Sequence, residues 1–286
     1  MRPYYLKMTT TLPTLRILPV SALVPHEWHD EQRATPLVER LRASGLLRNP
    51  PVVTPFPDGS GRFMVLDGAN RSTAFTLMGI PHILAQEVAA DDPGLALHTW
   101  NHVLWDWDSK KFLDALRKVE NTTLQDIDPT IKRPQSAWPP KTLVWVQTKD
   151  GQAYIVRSQP GDLAGRSRKL VQVAESYMPH AHIDRTTAQQ VGELDGKYKD
   201  FTAVVVYPPY KPVEVLELCA AGILLPPGIT RFTISPRALR VNYPLADLSS
   251  DTPLAAKNEA LQAWISERMA RKGVRYYAEA TVLYDE

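Results

Sequence analysis

An acid, a glycine and an arginine fall together at Asp67, Gly68 and Arg71, inside the segment RFMVLDGANRSTAFTLMGIPHILAQEV that runs from Arg62 to Val88. The pattern predicts a strand, a tight turn at Asp67-Gly68, a helix opening at Ala69-Asn70-Arg71, a stop at Gly79 and a second strand. A turn of this kind aims backbone N–H groups and the positive end of a helix dipole at one point, which suits an anion such as phosphate. Arg71 adds a planar cation that can bind phosphate bidentately. Asp67, at the end of the strand, is placed to hold a Mg²⁺ that bridges phosphates. The same residues also suit a plain surface helix, with Asp67 as its cap and Arg71 in solvent.

The elements around this turn predict an α/β unit with mixed strands over the first hundred residues. Leu15–Leu23 reads as an entry strand with a turn at Pro25. Thr35-Pro36 is a helix start, a hydroxyl cap followed by proline, with Leu37, Val38 and Leu41 on one face and Gly45 as the stop. Val52–Pro55 reads as a strand, and Asp58–Arg62 as a turn. The stretch from Asp91 to Trp107 holds three of the seven tryptophans. Phe112–Val119 is helical, and Asp128–Pro140, with four prolines, is a linker or crossover loop. Beyond it come a hairpin over Thr142–Val156, a helix over Lys169–Tyr177 and a buried strand over Thr202–Tyr207. A helix over Val213–Ala221 follows, then strands over Arg231–Ser235 and Leu239–Tyr243. A helix opened by Thr252-Pro253, with Leu261, Trp264, Ile265 and Met269 facing the core, precedes a final strand over Val274–Tyr284.

Composition narrows the class. The 286 residues are 44% hydrophobic, enough for a substantial core. A net charge of +2, from 33 basic and 31 acidic residues, gives no strong field for nucleic acid or an anionic membrane. One cysteine, Cys219, allows neither an intrachain disulfide nor a thiolate metal cluster, and reads as a buried small hydrophobe. The polar, proline-broken start is not a signal peptide, and no apolar run spans a bilayer. The expectation is a cytoplasmic protein without nucleic-acid or membrane partners.

Four stretches, in order, carry a family resemblance: Pro25-His26-Glu27, Val65-Leu66-Asp67-Gly68-Ala69-Asn70-Arg71, Thr99-Trp100, and Thr230-Arg231-Phe232-Thr233-Ile234. The chain resembles the free serine kinases of the ParB/sulfiredoxin-like superfamily. The D-G-x-x-R piece is shared widely in that superfamily; the other three are more specific. The resemblance implies an α/β fold with a mixed sheet. A nucleotide-binding domain would cover residues 1–110, and a C-terminal α/β domain over 111–286 would contribute to the substrate site. It implies that L-serine and ATP or ADP, with Mg²⁺, give O-phospho-L-serine.

In that reaction the protein must hold phosphates and metal, neutralise developing charge, and orient and deprotonate the acceptor hydroxyl. By resemblance, Glu27 and Asp67 are the catalytic carboxylates, with Glu27 as the base and Asp67 also the metal ligand. Asp67, Gly68, Ala69, Asn70, Arg71 and Ser72 would hold the nucleotide phosphates. His26, Thr99, Trp100, Thr230, Arg231 and Thr233 would hold serine, with Arg231 as a bidentate carboxylate clamp or, otherwise, a strand-edge ion pair. Trp100 is a pocket wall or plain packing. Ala69 and Asn70 stand where the ADP-dependent relatives have two histidines, so the donor nucleotide stays open. Sulfiredoxin chemistry needs a cysteine in the turn, which has none. A ParB-like DNA-binding or nucleotide-switch protein would need a helix-turn-helix or basic head that the sequence does not offer. His98 and His102, four apart, lack further ligands for a metal.

Overall fold

A computed structural model of the chain describes residues 12–28, 34–130, 138–159, 161–194, 196 and 198–277. The first sheet is built from β1 (Thr14–Pro19), β2 (Leu23–Pro25), β4 (Val52–Pro55), β5 (Phe63–Asp67) and β6 (His82–Glu87), with α1 (Thr35–Ser44), β3 (Leu46–Leu47) and α2 (Ala69–Met78) between them. Its order is β1-β6-β4-β5-β2, with β2–β5 and β4–β6 parallel and the other pairs antiparallel. The apolar run Phe63–Leu66 becomes a central strand buried on both faces, as a continuous hydrophobic strand should. Phe63 and Val65 pack with Leu18, Val53 and Ala85, while Met64 and Leu66 join the larger core. Helices α1 and α2 stop at Gly45 and Gly79.

The second sheet draws on β8 (Asn101–Trp105), β9 (Thr122–Ile127), β10 (Thr142–Thr148), β11 (Ala153–Ser158), β12 (His182–Thr186) and β13 (Phe201–Val206). Every neighbouring pair in the order β12-β8-β13-β10-β11-β9 is antiparallel. Helices α3 (Ser109–Arg117), α4 (Leu163–Glu175) and α5 (Pro212–Ala220) accompany it. A two-stranded ribbon pairs β7 (Leu95–Thr99) with β14 (Thr230–Ile234). The mixed α/β class is therefore as expected, but the sheets part between β6 and β7, near residue 90. The anticipated boundary at 110 falls too late, because β8 lies inside the second sheet.

The C-terminal part returns to the first sheet. After β15 (Tyr243–Pro244), α6 (Leu245–Ser249) and α7 (Leu254–Ala270) bury Leu245, Leu248 and Leu261 with Ile17, Phe75 and Leu84. Asn258 on α7 caps the edge strand β1: its Oδ1 accepts from Ile17 N at 2.9 Å and its Nδ2 donates to Ile17 O at 3.0 Å. Covering an edge in this way removes a template for unwanted pairing. No described helix is long and apolar enough to cross a membrane.

Several local expectations differ. A 3-10 turn at Val20–Ala22 breaks Leu15–Leu23 into two strands after Pro19. Thr35 already lies inside α1, which follows Ala34. The helix expected from Lys169 begins at Leu163, where the Asp162 side chain accepts from Gly165 N at 2.7 Å. Leu239–Asn242 is not a strand: Arg240 and Asn242 take positive φ as the chain wraps residues 48 and 49. Met269 is half exposed, and Val274–Tyr277 form no strand; the rest of that expected strand lies outside the described residues. The edge strands β9 and β12 escaped notice because their half-exposed sequences, TTLQDI and HIDRT, are polar. Burial pushes the Cys219 thiol up to about 12, in keeping with a packing role.

Lys257 on α7 is nearly fully buried, and its Nζ donates to Leu248 O at 2.8 Å, Ser250 O at 2.7 Å and His82 Nδ1 at 3.1 Å. Lys257→Met leaves those acceptors without a donor, so a loss of roughly 2 kcal/mol or more is expected in urea unfolding. A change below about 0.5 kcal/mol, the range of an ordinary surface substitution, would show that the site relaxes around the loss.

Candidate active site

The turn after β5 forms as the sequence predicts. Gly68 has φ of 95°, and a Cβ there would fall 2.9 Å from Pro51 Cβ and 3.2 Å from Arg71 Cζ, so glycine is required twice over. Gly68 O accepts from Arg71 N at 2.9 Å and Ser72 N at 3.1 Å, closing the first turn of α2. The amides of Ala69 and Asn70 precede any intrahelical acceptor, and both residues line the cavity beside the turn. Ser72 does not join them, because its hydroxyl turns back to Ala69 O at 2.8 Å.

Arg71 spends its fork on structure. Its Nη1 donates to Asn49 O and Pro50 O, both at 3.0 Å, and its Nη2 to Asp67 Oδ2 at 3.3 Å. The guanidinium thus ties the 49–50 loop to the turn. Asp67 Oδ2 also binds Arg237, a residue that sequence reading did not single out. Burial works to raise the Asp67 carboxyl, but the charges of Arg237 and then Arg71 outweigh it and hold the group below the usual carboxylate range. Arg237 arrives there because Gln86, buried on β6, clamps its neighbours: Gln86 Nε2 donates to Pro236 O and Gln86 Oε1 accepts from Ala238 N, each at 2.9 Å. Position 237 lies 170 residues from Asp67, so no local pattern marks it.

Glu27 follows β2, which runs parallel to β5 with Pro25 opposite Val65. Glu27 and Asp67 thus lie at the carboxyl ends of neighbouring parallel strands, and both line the same cavity. The Glu27 carboxylate is held from the far side. Its Oε2 accepts from Gly228 N at 2.7 Å, and its Oε1 accepts from Ile229 N at 3.1 Å, Thr230 N at 2.6 Å and Thr230 Oγ1 at 2.5 Å. His26 braces the same loop, with Nδ1 at 2.6 Å from Val65 O and Nε2 at 2.7 Å from Thr230 Oγ1. Phe232 packs edge-on against the imidazole at 5.3 Å. With both ring nitrogens taken, His26 is a bracket rather than the serine ligand expected.

Strand alternation separates the remaining candidates. Thr230 pairs with Thr99, and Arg231 with His98, so Arg231 and Thr233 share the ribbon face opposite to Thr230. The Arg231 guanidinium stacks over Trp100 at 4.7 Å, exposed to solvent. A cavity of about 1010 Å³ joins Glu27, Asp67 and the first turn of α2, with Thr230 on its wall. Thr99, Trp100, Arg231 and Thr233 are not among the described residues that line it, so the anticipated Arg231 clamp does not form there. Arg40, Arg48 and Arg185 do line it.

His102 also reaches the wall, from β8. It shares no helix with His98, since the two sit on consecutive strands, and its Nδ1 lies 2.8 Å from Tyr177 OH, which in turn meets Tyr207 OH. Behind the cavity this polar chain abuts Pro227 and Gly228, whose backbone bonds to the imidazole. Among the described residues no group of three or more His, Cys, Asp or Glu is arranged to hold a metal alone.

No protein-family model matches the chain, but individual proteins are similar to it. Over 283 residues it is 25% identical to the ATP-dependent L-serine kinase SbnI of Staphylococcus aureus (strain NCTC 8325), covering 95% of this chain and 97% of that protein. A solved structure of C-terminally truncated SbnI from Staphylococcus aureus superposes with a TM-score of 0.68 at 23% identity, over 91% of this chain and 97% of that one. A free serine kinase in complex with AMP gives a TM-score of 0.67 at 16% identity, over 84% and 95%. The overall fold is shared with both.

Burial lowers the His102 imidazole to about 4 from an ordinary 6.5, with the Arg185 charge adding to the effect and the backbone bonds at Gly228 and Pro227 opposing it. The unfolded chain therefore takes up a proton that the folded chain refuses, and stability falls as pH drops from about 6.5 toward 4. The difference amounts to on the order of 3 kcal/mol at the acid end. Urea unfolding across that range should show a slope that His102→Gln reduces; parallel profiles for the two proteins would remove His102 as its source.

Proposed function

We propose that this chain, a relative of the free serine kinases, transfers a phosphoryl group from ATP or ADP to the hydroxyl of free L-serine, giving O-phospho-L-serine. The observation that carries the reading is the meeting of Glu27 with the Asp67–Arg71 turn on one cavity, at the carboxyl ends of two parallel strands. The full-length similarity to an ATP-dependent L-serine kinase supports it. A nucleotide-dependent reaction of this kind, in a chain with a single buried thiol, belongs in the cytoplasm.

In this reading the nucleotide's terminal phosphates sit on the amides of Ala69 and Asn70 at the positive end of α2. Arg71 and Arg237 cancel the charge of Asp67, which would otherwise repel those phosphates. Magnesium commonly needs only one or two protein carboxylates, because phosphates and water complete its shell. Asp67 fits that requirement and would hold the ion, whose charge would neutralise the phosphates when bound. Glu27 Oε1 is filled by three donors, whereas Oε2 takes one and keeps a lone pair for the substrate. As the serine oxygen bonds to phosphorus and the bond to the nucleotide's bridging oxygen breaks, the hydroxyl proton passes to Glu27 Oε2. The amides of Gly228, Ile229 and Thr230 hold that carboxylate aimed beforehand, which is the positioning that phosphoryl transfer asks of a protein.

Incubation with ATP or ADP, Mg²⁺ and a panel of hydroxy amino acids, followed by phosphorus NMR, is expected to show O-phosphoserine and to identify the donor. Absence of any phosphorylated amino acid would sink the reading. Glu27→Gln is expected to retain nucleotide binding while turnover drops at least about a hundredfold, the usual scale of a positioned base. Near-normal turnover in that variant would reduce Glu27 to an anchor for the 228–230 loop.

A further inference from the structure

We infer that Arg185 binds the carboxylate of the amino-acid substrate, an assignment that rests on the kinase reading above. A free amino acid needs a cation for its carboxylate, and the candidate marked by sequence, Arg231, is stacked on Trp100 away from the cavity wall. Arg71 and Arg237 are committed to Asp67. Arg40 belongs to α1 and borders the wall formed by Leu37, Leu41 and Leu47. Arg185, on the edge strand β12, lines the cavity with His102 and Thr230, and among the described residues it forms no ion pair.

Its position relative to Glu27 is set by a single residue. The Arg185 guanidinium lies so close to Gly228 that a Cβ built there would fall 2.3 Å from Nε, 2.8 Å from Cζ and 2.9 Å from Nη2. Gly228 also has φ of 73°, so glycine is needed both for the backbone and for the passage of the arginine. The N–H of this same Gly228 donates to Glu27 Oε2 at 2.7 Å, the oxygen assigned to the substrate proton. Cation and base therefore flank one residue of backbone. L-Serine carries its carboxylate and its hydroxymethyl group on the same carbon, so one small molecule can meet both. A guanidinium presents two parallel N–H donors to a carboxylate, which an ammonium cannot reproduce.

The test uses the full chain and two variants, R185M and R185K, at an exposed position where neither should disturb folding. Initial rates are measured with L-serine and with L-serinamide, which lacks the carboxylate charge, and nucleotide affinity by calorimetry. R185M is expected to raise the KM for L-serine at least tenfold, with R185K in between and the nucleotide Kd changed less than threefold. The wild type should prefer L-serine to L-serinamide, and R185M should lose most of that preference. A purely structural role would lower both substrates together and leave the preference intact. If the wild type phosphorylates serine while R185M keeps the same KM and preference, the clamp is overturned and the kinase reading stands. If the wild type phosphorylates no hydroxy amino acid, both fall.

Discussion

The carboxylate of Glu27, bound to three successive amides and one hydroxyl of residues 228–230, is the joint on which this molecule depends. Glu27 leaves the first sheet, and residues 228–230 lead from α5 into the ribbon beside the second. One side chain therefore fixes how two separate sheets face each other across the cavity. Hydrogen bonds to a charged acceptor are among the stronger ones in a protein, and here four converge. The neighbouring backbone reinforces them: His26 O accepts from Leu225 N at 2.9 Å and Leu225 O from Trp28 N at 3.1 Å. His26 adds a side-chain brace between Val65 and Thr230.

A second joint lies at Asp67. The dipole of α2 favours a carboxylate at its N-terminal end, but that charge would repel a second anion there. Two guanidiniums resolve that conflict, and they come from different directions. Arg71 belongs to the same helix and reaches back to the 49–50 loop, whereas Arg237 is carried by the segment after β14. That segment then wraps residues 48 and 49, where Arg240 N meets Asn49 Oδ1 at 2.8 Å and Val241 N meets Arg48 O at 2.7 Å. The charge balance of the turn is thus coupled to the path by which α6 and α7 return to the first sheet. Buried Gln86, with both ends of its amide engaged, is the pivot of that path.

Much of the site was legible because its parts are local. The strand, turn and helix around Asp67 follow from an apolar run, one glycine that must approach Pro51, and a helix stop at Gly79. The hairpin at Asp150-Gly151 and the buried strand ending near Tyr207 were equally plain. Polar edge strands such as TTLQDI were not, since exposure on one side erases the apolar signal. Motif likeness picked out Glu27 and Asp67, which line one cavity, but it grouped Arg231 and Thr233 with Thr230. A strand's period of two sends those side chains to the opposite face.

By itself the chain of residues determined the short-range structure: which turn opens a helix with free amides, which segments bury, and which acid follows the proline at 25. Periodicity and glycine act over a few residues, so they are written where they act. Only tertiary structure decided which distant side chains meet at the cavity. Arg185 and His102 line it, and Arg237 reaches Asp67 beside it, from strands and loops far along the chain, and their surroundings come from what they are packed against. Charge pairing and burial depend on distance in space, and no spacing along a sequence encodes that distance.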